Sequence, residues 1–559
     1  MSRLFWWIFD LVFLAGTLAV LAIAITGGGE LVLNGTRLSF HGVGNGLIGL
    51  YALGTVRFLF RHRAAFLGIP TLPLSAIDRR AIDVVLWVRR QLSRLTSRNT
   101  ALVLGIFLVF GLTVRLANAW AHPGFFSGDD VEVQEMSFAR LFGWDWSAWN
   151  LRSPFYPLGF IYPVQTLLSS TGVDDTRSLV FAGRAVVAIL SSFGIILVYW
   201  IVRGSLGRPA AVLAAAFVTF SGLSVSFGST ELPRPIAAVF VLVAFGLLQE
   251  RRSAPLLAGA AVGIAAAMRF SEIVFVIPGA LQLLREGRHR TLVVFVAATA
   301  VTAAGIQAGC DYFNWGHPFS SVREMVDFTI AHGGSTRGYQ PLWHYLVAVT
   351  DWTDFAVFAL AVYATSRQTW RLGLWAWTPI VVLSLLPHKE SRYLLPALPF
   401  VAALAAVGLW RISAVVANPE GARPPGRLAI WIVAGMCGSL VFQVSQMHVR
   451  RTDAAVRFAS ELARNAQIDV LAIEQHWGMG NRLYLRLVRN LVRLDSEHLR
   501  NQGDLLEMVR RTNASWIALS QDTCRRVNCG AVLTSTDYAQ VLTMPDADTS
   551  NYIVYRTQH

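Results

Sequence analysis

The stretch Leu372-Gly-Leu-Trp-Ala-Trp-Thr-Pro-Ile-Val-Val-Leu-Ser-Leu-Leu-Pro387, followed by His388-Lys389-Glu390-Ser391-Arg392-Tyr393-Leu394-Leu395-Pro396, sets the class of this chain. An apolar run leads into a short knot of charge, and a second apolar run, Leu394 to Trp410, leaves it. Runs near the ~20 residues that cross a bilayer recur along the chain. Of 559 residues 54% are hydrophobic and only 15% charged, and mean hydropathy is +0.48. Soluble domains carry about 25% charged residues. The chain is therefore an α-helical polytopic membrane protein.

The knot contains the only lysine of the chain, Lys389, among 48 basic residues. A compact ammonium suits phosphate, and His388, Glu390 and Arg392 surround it in sequence. Two readings compete: an anionic-ligand site, or an anchor that holds two helix ends at the interface. The net charge of +14 does not indicate nucleic acid, because the arginines gather at the ends of apolar runs on one side. That is the positive-inside pattern, with Arg63, Arg79, Arg80, Arg89, Arg90, Arg94 and Arg98 in one such segment.

Taken in order, Phe5 to Ile25 reads as a retained first span. Asn34-Gly35 reads as a hairpin turn, Val43 to Phe60 as a second span, and Arg61 to Arg98 as a basic cytoplasmic-surface segment. Ala101 to Ala119 crosses outward to a long polar loop, Trp120 to about Asp175. Leu256 to Leu284 begins and ends on the basic side, so it reads as two short helices meeting at Arg269 and Glu272. Trp343 to Ala364, Leu372 to Leu386, Leu394 to Leu409 and Leu428 to Val444 read as later spans. The tally is about thirteen spans. It places the loop after Trp120, the loop after Cys310 and the Lys389 knot on one outer face. The tail alternates buried strands (Asp469 to Glu474, Ala514 to Ser520, Tyr552 to Tyr555) with helices, a small extracytoplasmic α/β domain. The expected division is 1–99, a two-helix membrane accessory with hairpin and basic segment; 100–446, the catalytic transmembrane domain; and 447–559, the α/β domain. Cys524 and Cys529 lie close enough in sequence to pair in an oxidising compartment.

The first outer loop carries Ser127-Gly128-Asp129-Asp130-Val-Glu132-Val-Gln134-Glu135. Such acids can supply a general base, hold a divalent cation, or cap a helix running to Phe142. Leu151-Arg152-Ser153-Pro154-Phe155-Tyr156-Pro157 follows, an arginine beside aromatics. Arg269 is a charge inside an apolar segment and needs a partner or a cavity. No Cys-x-x-Cys or His-Glu-x-x-His spacing occurs, and no nucleotide-binding glycine loop.

Together, the Asp pair ahead of Arg140 to Gly143, then Leu151-Arg152-Ser153 with Tyr156-Pro157, then His388-Lys389-Glu390-x-Arg392-Tyr393-Leu-Leu-Pro396, resemble the GT-C superfamily. The similarity is to its polyprenyl-phosphate-sugar mannosyltransferases, the lumenal enzymes of N-glycan and GPI-anchor assembly. Weaker echoes stand at Met268-Arg269-Phe270-Ser271 and at Asp311-Tyr312 through Trp315-Gly316. The resemblance covers roughly Ala101 to Leu409. It implies an inverting transfer of a hexose, mannose in that family, from a polyprenyl-phosphate donor to a hydroxyl of a glycan or glycolipid acceptor. It also implies an outer-face site. Residues 1–99 look like an accessory of bacterial membrane glycosyltransferases, and arginine-rich usage suggests a bacterial inner membrane; an ER membrane with a lumenal site is the alternative. On the resemblance, Asp129 is the base, with Asp130 as the open alternative because Gly124 to Gly128 separates them from His122-Pro123. His388, Lys389, Arg392, Arg152 and Arg269 would hold the donor phosphate, and Glu390, Tyr156 and Trp315 would touch substrate. No cofactor is required and no metal ligands are assigned, although a divalent cation is compatible with the acids. A lipid-linked-sugar flippase is the alternative function; it would place charges at mid-membrane in repeated halves.

Overall fold

The computed structural model describes residues 15, 16, 18, 19, 29–33, 36–40, 75–122, 124–125, 128–143, 152–249, 254–331, 339–417, 425–447, 470–474, 481–485, 490–494, 499–544 and 552–558. Most of the first N-terminal span read from the sequence, all of the second, the segment Ala454 to Ala466 read as a tail helix, and the linker 418–424 lie outside these residues.

Strands β1 (Gly29–Leu33) and β2 (Thr36–Phe40) pair antiparallel, with Leu33 opposite Thr36 across the Asn34-Gly35 position. Helix α1 (Ser75–Ser93) then carries the basic segment. Its Arg89 donates to the Trp410 carbonyl (3.0 Å) and the Ser413 hydroxyl (2.8 Å) and stacks over the Trp410 ring. The principal helices that follow are α2 (Ser97–Ala121), α3 (Gly128–Phe142), α4 (Thr176–Leu206), α5 (Arg208–Thr219) and α6 (Arg234–Gln249). After them come α7 (Pro255–Met268), α8 (Val276–Arg285), α9 (His289–Trp315), α10 (Phe355–Ala364), α11 (Trp370–Leu385), α12 (Leu398–Ala417) and α13 (Pro425–Gln446). Shorter helices are named by range.

Among the described residues, five helices are long and apolar enough to cross a membrane: α2, α4, α9, α12 and the Ala429–Gln446 part of α13. Five more, α5, α6, α7, α10 and α11, are apolar but shorter. Some of the apolar runs read as single spans are broken in the structure. Trp343 to Ala364 is three pieces, His344–Val347, Val349–Trp352 and α10. Asp354 causes the last break: its carboxylate caps α10 through Val357 N–H (2.9 Å) and accepts from Ser439 and Gln443 of α13. Leu256 to Leu284 breaks at Arg269, where extended backbone and a 3₁₀ segment, Phe270–Phe275, separate α7 from α8.

Without a hydrophobic drive between apolar helices, close contact depends on small residues. Gly259 and Gly263 stand one turn apart on α7 and face α9. A methyl group on Gly259 would sit 2.3 Å from the Phe295 carbonyl oxygen, and one on Gly263 would sit 2.7 Å from Thr302 Cβ. The largest core is continuous over α4, α5, α6, α7 and α12, with Trp375 in edge contact with Phe245 and hydrogen-bonded to Gln282 (3.0 Å).

Beyond Val470 the chain builds a five-stranded mixed sheet ordered β4-β3-β5-β7-β6. Its strands are β3 (Val470–Glu474), β4 (Asn490–Leu494), β5 (Trp516–Ser520), β6 (Tyr538–Met544) and β7 (Tyr552–Thr557). β3 is parallel to β4 and β5, while β7 is antiparallel to β5 and β6. Strands β4 and β6 escaped the sequence reading, since Arg493 and Gln540 interrupt their apolar runs. Cys524 and Cys529 form a disulfide. The short helix Asn481–Tyr484 reaches back: Leu483 is buried against Phe125, Val131 and Phe138, and its carbonyl accepts from Thr176 (3.1 Å).

The α7–α9 contact yields a direct test. Gly263→Val should overpack the interface at a cost of about 1–3 kcal/mol and lower the melting temperature in detergent. Gly305→Ala, where a methyl meets nothing within 4 Å, should not. Equal melting temperatures would contradict the contact.

Candidate active site

Helix α3 carries two chemistries on two faces. Asp129 and Glu132, three residues apart, share one side; Asp130, Gln134 and Ser137 share another. The second side is buried and fixed by amides. Gln165 donates to Gln134 (2.7 Å) and to the Leu179 carbonyl (2.8 Å), and Ser137 donates to Gln165 (2.5 Å). Gly183 permits the approach, because a methyl there would meet Gln134 at 2.8 Å. Asp129 and Asp130 occupy the first helical turn, where the macrodipole favours anions, so capping and chemistry coexist.

The first side faces the knot. Arg392 Nη2 stands 2.9 Å from Asp129 Oδ2, Arg269 Nη2 stands 3.8 Å from the same oxygen, and Arg152 pairs with Asp129 Oδ1 and with Glu132. Three guanidinium groups from three separated segments therefore converge on one carboxylate. Burial alone would raise the Asp129 pKa; Arg152, Arg392 and Arg269 outweigh it and hold the group ionised below the usual carboxylate range. Asp130 differs. Its side chain is fully buried, and burial, then the neighbouring Glu231 carboxylate, pushes its pKa well above the usual range. Glu231 is itself gripped by Arg184 (2.9 and 3.2 Å), whose other donors hold the His122 and Gly124 carbonyls (2.6 and 2.7 Å). This clamp ties the end of α2, the entry to α3 and the turn before α6 together.

In the knot, Glu390 pairs with Arg392 and lies 3.1 Å from His388 Nε2. Burial opposes its ionisation, but the His388 hydrogen bond and Arg392 prevail and bring its pKa down to about 2. Glu390 thus orients the Arg392 guanidinium and the His388 ring. Lys389 departs from the expected role. It is buried, and its ammonium donates to the Leu386 and Gln340 carbonyls, the latter at 2.7 Å. With the Tyr339–His388 bridge and Gln340 N–H to Pro387 (3.0 Å), it fastens the second outer loop to the knot. Its charge is spent on backbone carbonyls and not on the Asp129 cluster. Tyr156 is also corrected: its ring is 1% exposed and stacked on Phe160, and its hydroxyl donates to the Glu231 carbonyl (2.9 Å), so it braces the site and offers no face to a sugar. Trp315 ends α9 and belongs to none of these ion pairs.

The sequence reading missed Arg184, Glu231 and Arg234. In Glu231-Leu-Pro-Arg234-Pro, two charges flanking a Pro inside apolar surroundings were the available signal. Among the described residues, no group of three or more His, Cys, Asp or Glu side chains is arranged to hold a metal ion.

A helical membrane scaffold with an acid helix under an arginine-rich knot defines a class, and the comparisons give it a family. Residues 131–468 match the Alg9-like mannosyltransferase family. The chain belongs to that family and is a membrane glycosyltransferase of GT-C type. It is 22% identical over 404 residues to mannosyltransferase APTG1 of Arabidopsis thaliana, spanning 65% of this chain and 72% of that one. It is 24% identical over 377 residues to GPI mannosyltransferase 3 of Yarrowia lipolytica, spanning 63% and 70%. In fold it is similar to ArnT from Cupriavidus metallidurans bound to undecaprenyl phosphate, with a TM-score of 0.55, 15% identity, and coverage of 81% of this chain and 98% of that one.

The Asp130 environment fixes a pH dependence. A carboxyl whose pKa is raised by folding contributes stability that is present at low pH and lost as pH rises through the folded pKa. Asp130→Asn should therefore lose less thermal stability than the parent between about pH 4 and pH 7, the gap growing by up to ~1.4 kcal/mol per unit. An unchanged pH slope would show Asp130 to be ionised across that range.

Proposed function

We propose that this enzyme transfers mannose from a polyprenyl-phosphate donor to a hydroxyl of a glycan or glycolipid acceptor at the outer face of the membrane. One observation carries the reading: the Asp129 carboxylate is ringed by Arg152, Arg269 and Arg392. A guanidinium cluster of this kind suits a phosphate, and the carboxylate within it suits a hydroxyl nucleophile. The family supports the sugar. The solved ArnT complex contains undecaprenyl phosphate, which supports a lipid phosphate as the donor's leaving group. The Cys524–Cys529 disulfide supports an oxidising compartment for the tail, a periplasmic or exterior side in a bacterium.

Asp129 and not Asp130 is the base in this scheme, because Asp129 reaches the open side of α3 while Asp130 is sealed against Glu231. A carboxylate neutralised by three arginines is a weak proton acceptor. Donor phosphate would draw Arg392, Arg152 and Arg269 onto its own oxygens, and Asp129 would then regain basicity as the substrate arrives. The acceptor oxygen attacks the sugar C1, the C1–O bond to phosphate breaks with inversion, and the bonding electron pair stays on the phosphate oxygen. The acceptor proton passes to Asp129. The arginines stabilise the charge that grows on the leaving phosphate. Glu390 positions Arg392, and Lys389 holds the knot in place.

Asp129→Asn should lower turnover of polyprenyl-phosphate-mannose by about 10²–10⁴-fold while leaving donor affinity equal or tighter, since the arginines lose a competitor. A folded variant that still transfers mannose would remove Asp129 from the base role. Arg392→Gln should weaken donor affinity as well as turnover, measured by equilibrium binding and steady-state kinetics on the same preparations.

A further inference from the structure

Arg234 opens α6, beneath the knot. Its side chain is 1% exposed, and its guanidinium lies 4.1 Å from the Tyr393 ring centroid. Among the described residues its ion-pair contact is long, with Nε 3.4 Å from Glu272 Oε1, and Nη1 has no hydrogen-bond partner. Orphaned buried donors are rare and need an explanation. Tyr393 adjoins Arg392 in sequence, and Arg234 is near enough to Asp129 and Glu390 for its charge to act on both. A guanidinium whose Nη1 is unpaired, at the edge of the cationic cluster, suits a phosphate oxygen.

The chemistry says which oxygen. The donor is a phosphodiester with a single negative charge. When the sugar leaves, the lipid carries a phosphomonoester, whose second ionisation lies near pH 6 and whose charge at neutral pH is about −1.5 to −2. Arg152, Arg269 and Arg392 already balance Asp129, Glu132 and Glu390. The charge created by the reaction needs a further cation.

We propose that Arg234 is the ligand of the leaving polyprenyl phosphate, taking the oxygen uncovered when the C1–O bond breaks, and so favours the product monoester over the donor diester. This rests on the lipid-phosphate reading given above.

The test measures binding of undecaprenyl phosphate and of its methyl diester to the full-length enzyme in detergent, for the parent, Arg234→Gln and Arg234→Lys. Arg234→Gln should weaken the monoester by about tenfold or more and the diester by less than about twofold. Arg234→Lys, which keeps the charge but loses the fork, should show a smaller loss that is again selective for the monoester. Equal loss for both lipids, or no loss, overturns the role and makes Arg234 a structural partner of Glu272. If Arg234→Gln does not fold, the Arg234→Lys comparison decides by the same criterion. A parent enzyme that binds neither lipid overturns the donor reading itself.

Discussion

The Arg392–Asp129 ion pair, 2.9 Å long, joins two parts of the chain more than 250 residues apart. One partner stands on the first turn of α3, the other in the turn between α11 and α12. The rest of the site depends on this contact. It requires α3 to be held at a fixed height, which the buried Gln134–Gln165–Ser137 amides and the Arg184–Glu231 clamp accomplish. It also requires a break in α7–α8, so that Arg269 can reach Asp129 from a chain end and not from a helix interior.

Burying so many charges is costly unless each is paired and hydrogen-bonded. The arrangement meets that cost by alternation. Arg152 lies between Asp129 and Glu132, and Arg392 between Asp129 and Glu390. An anionic ligand entering such a lattice must displace carboxylates from guanidinium groups. In the proposed reaction, donor binding would thereby change the charge surroundings of Asp129.

Much of this was legible in the sequence. The positive-inside pattern put the two outer loops and the knot on one face, and the structure joins all three through Arg392–Asp129 and Lys389–Gln340. The acid helix ending at Phe142 and the break at Arg269 were legible from capping acids and from a misplaced charge. What failed has physical causes. A lone lysine among arginines looked like a phosphate ligand, but its range of hydrogen-bond donors serves carbonyls equally well, and only the backbone path of Gln340 decides between them. Tyr156 sat in an aromatic motif, and burial at a helix junction cannot be read from motif spacing. Glu231, Arg184 and Arg234 are distant in sequence and acquire meaning only when paired. The break at Asp354 was not legible, because hydropathy records composition and not continuity.

The central claim is that donor phosphate takes arginines from Asp129. An experimental structure of the enzyme with bound undecaprenyl phosphate tests it most directly. The account predicts that the phosphate oxygens accept from Arg392 and Arg152 while Arg392 moves out of hydrogen-bond reach of Asp129. A lipid phosphate bound elsewhere, with the Arg392–Asp129 pair intact, would contradict it.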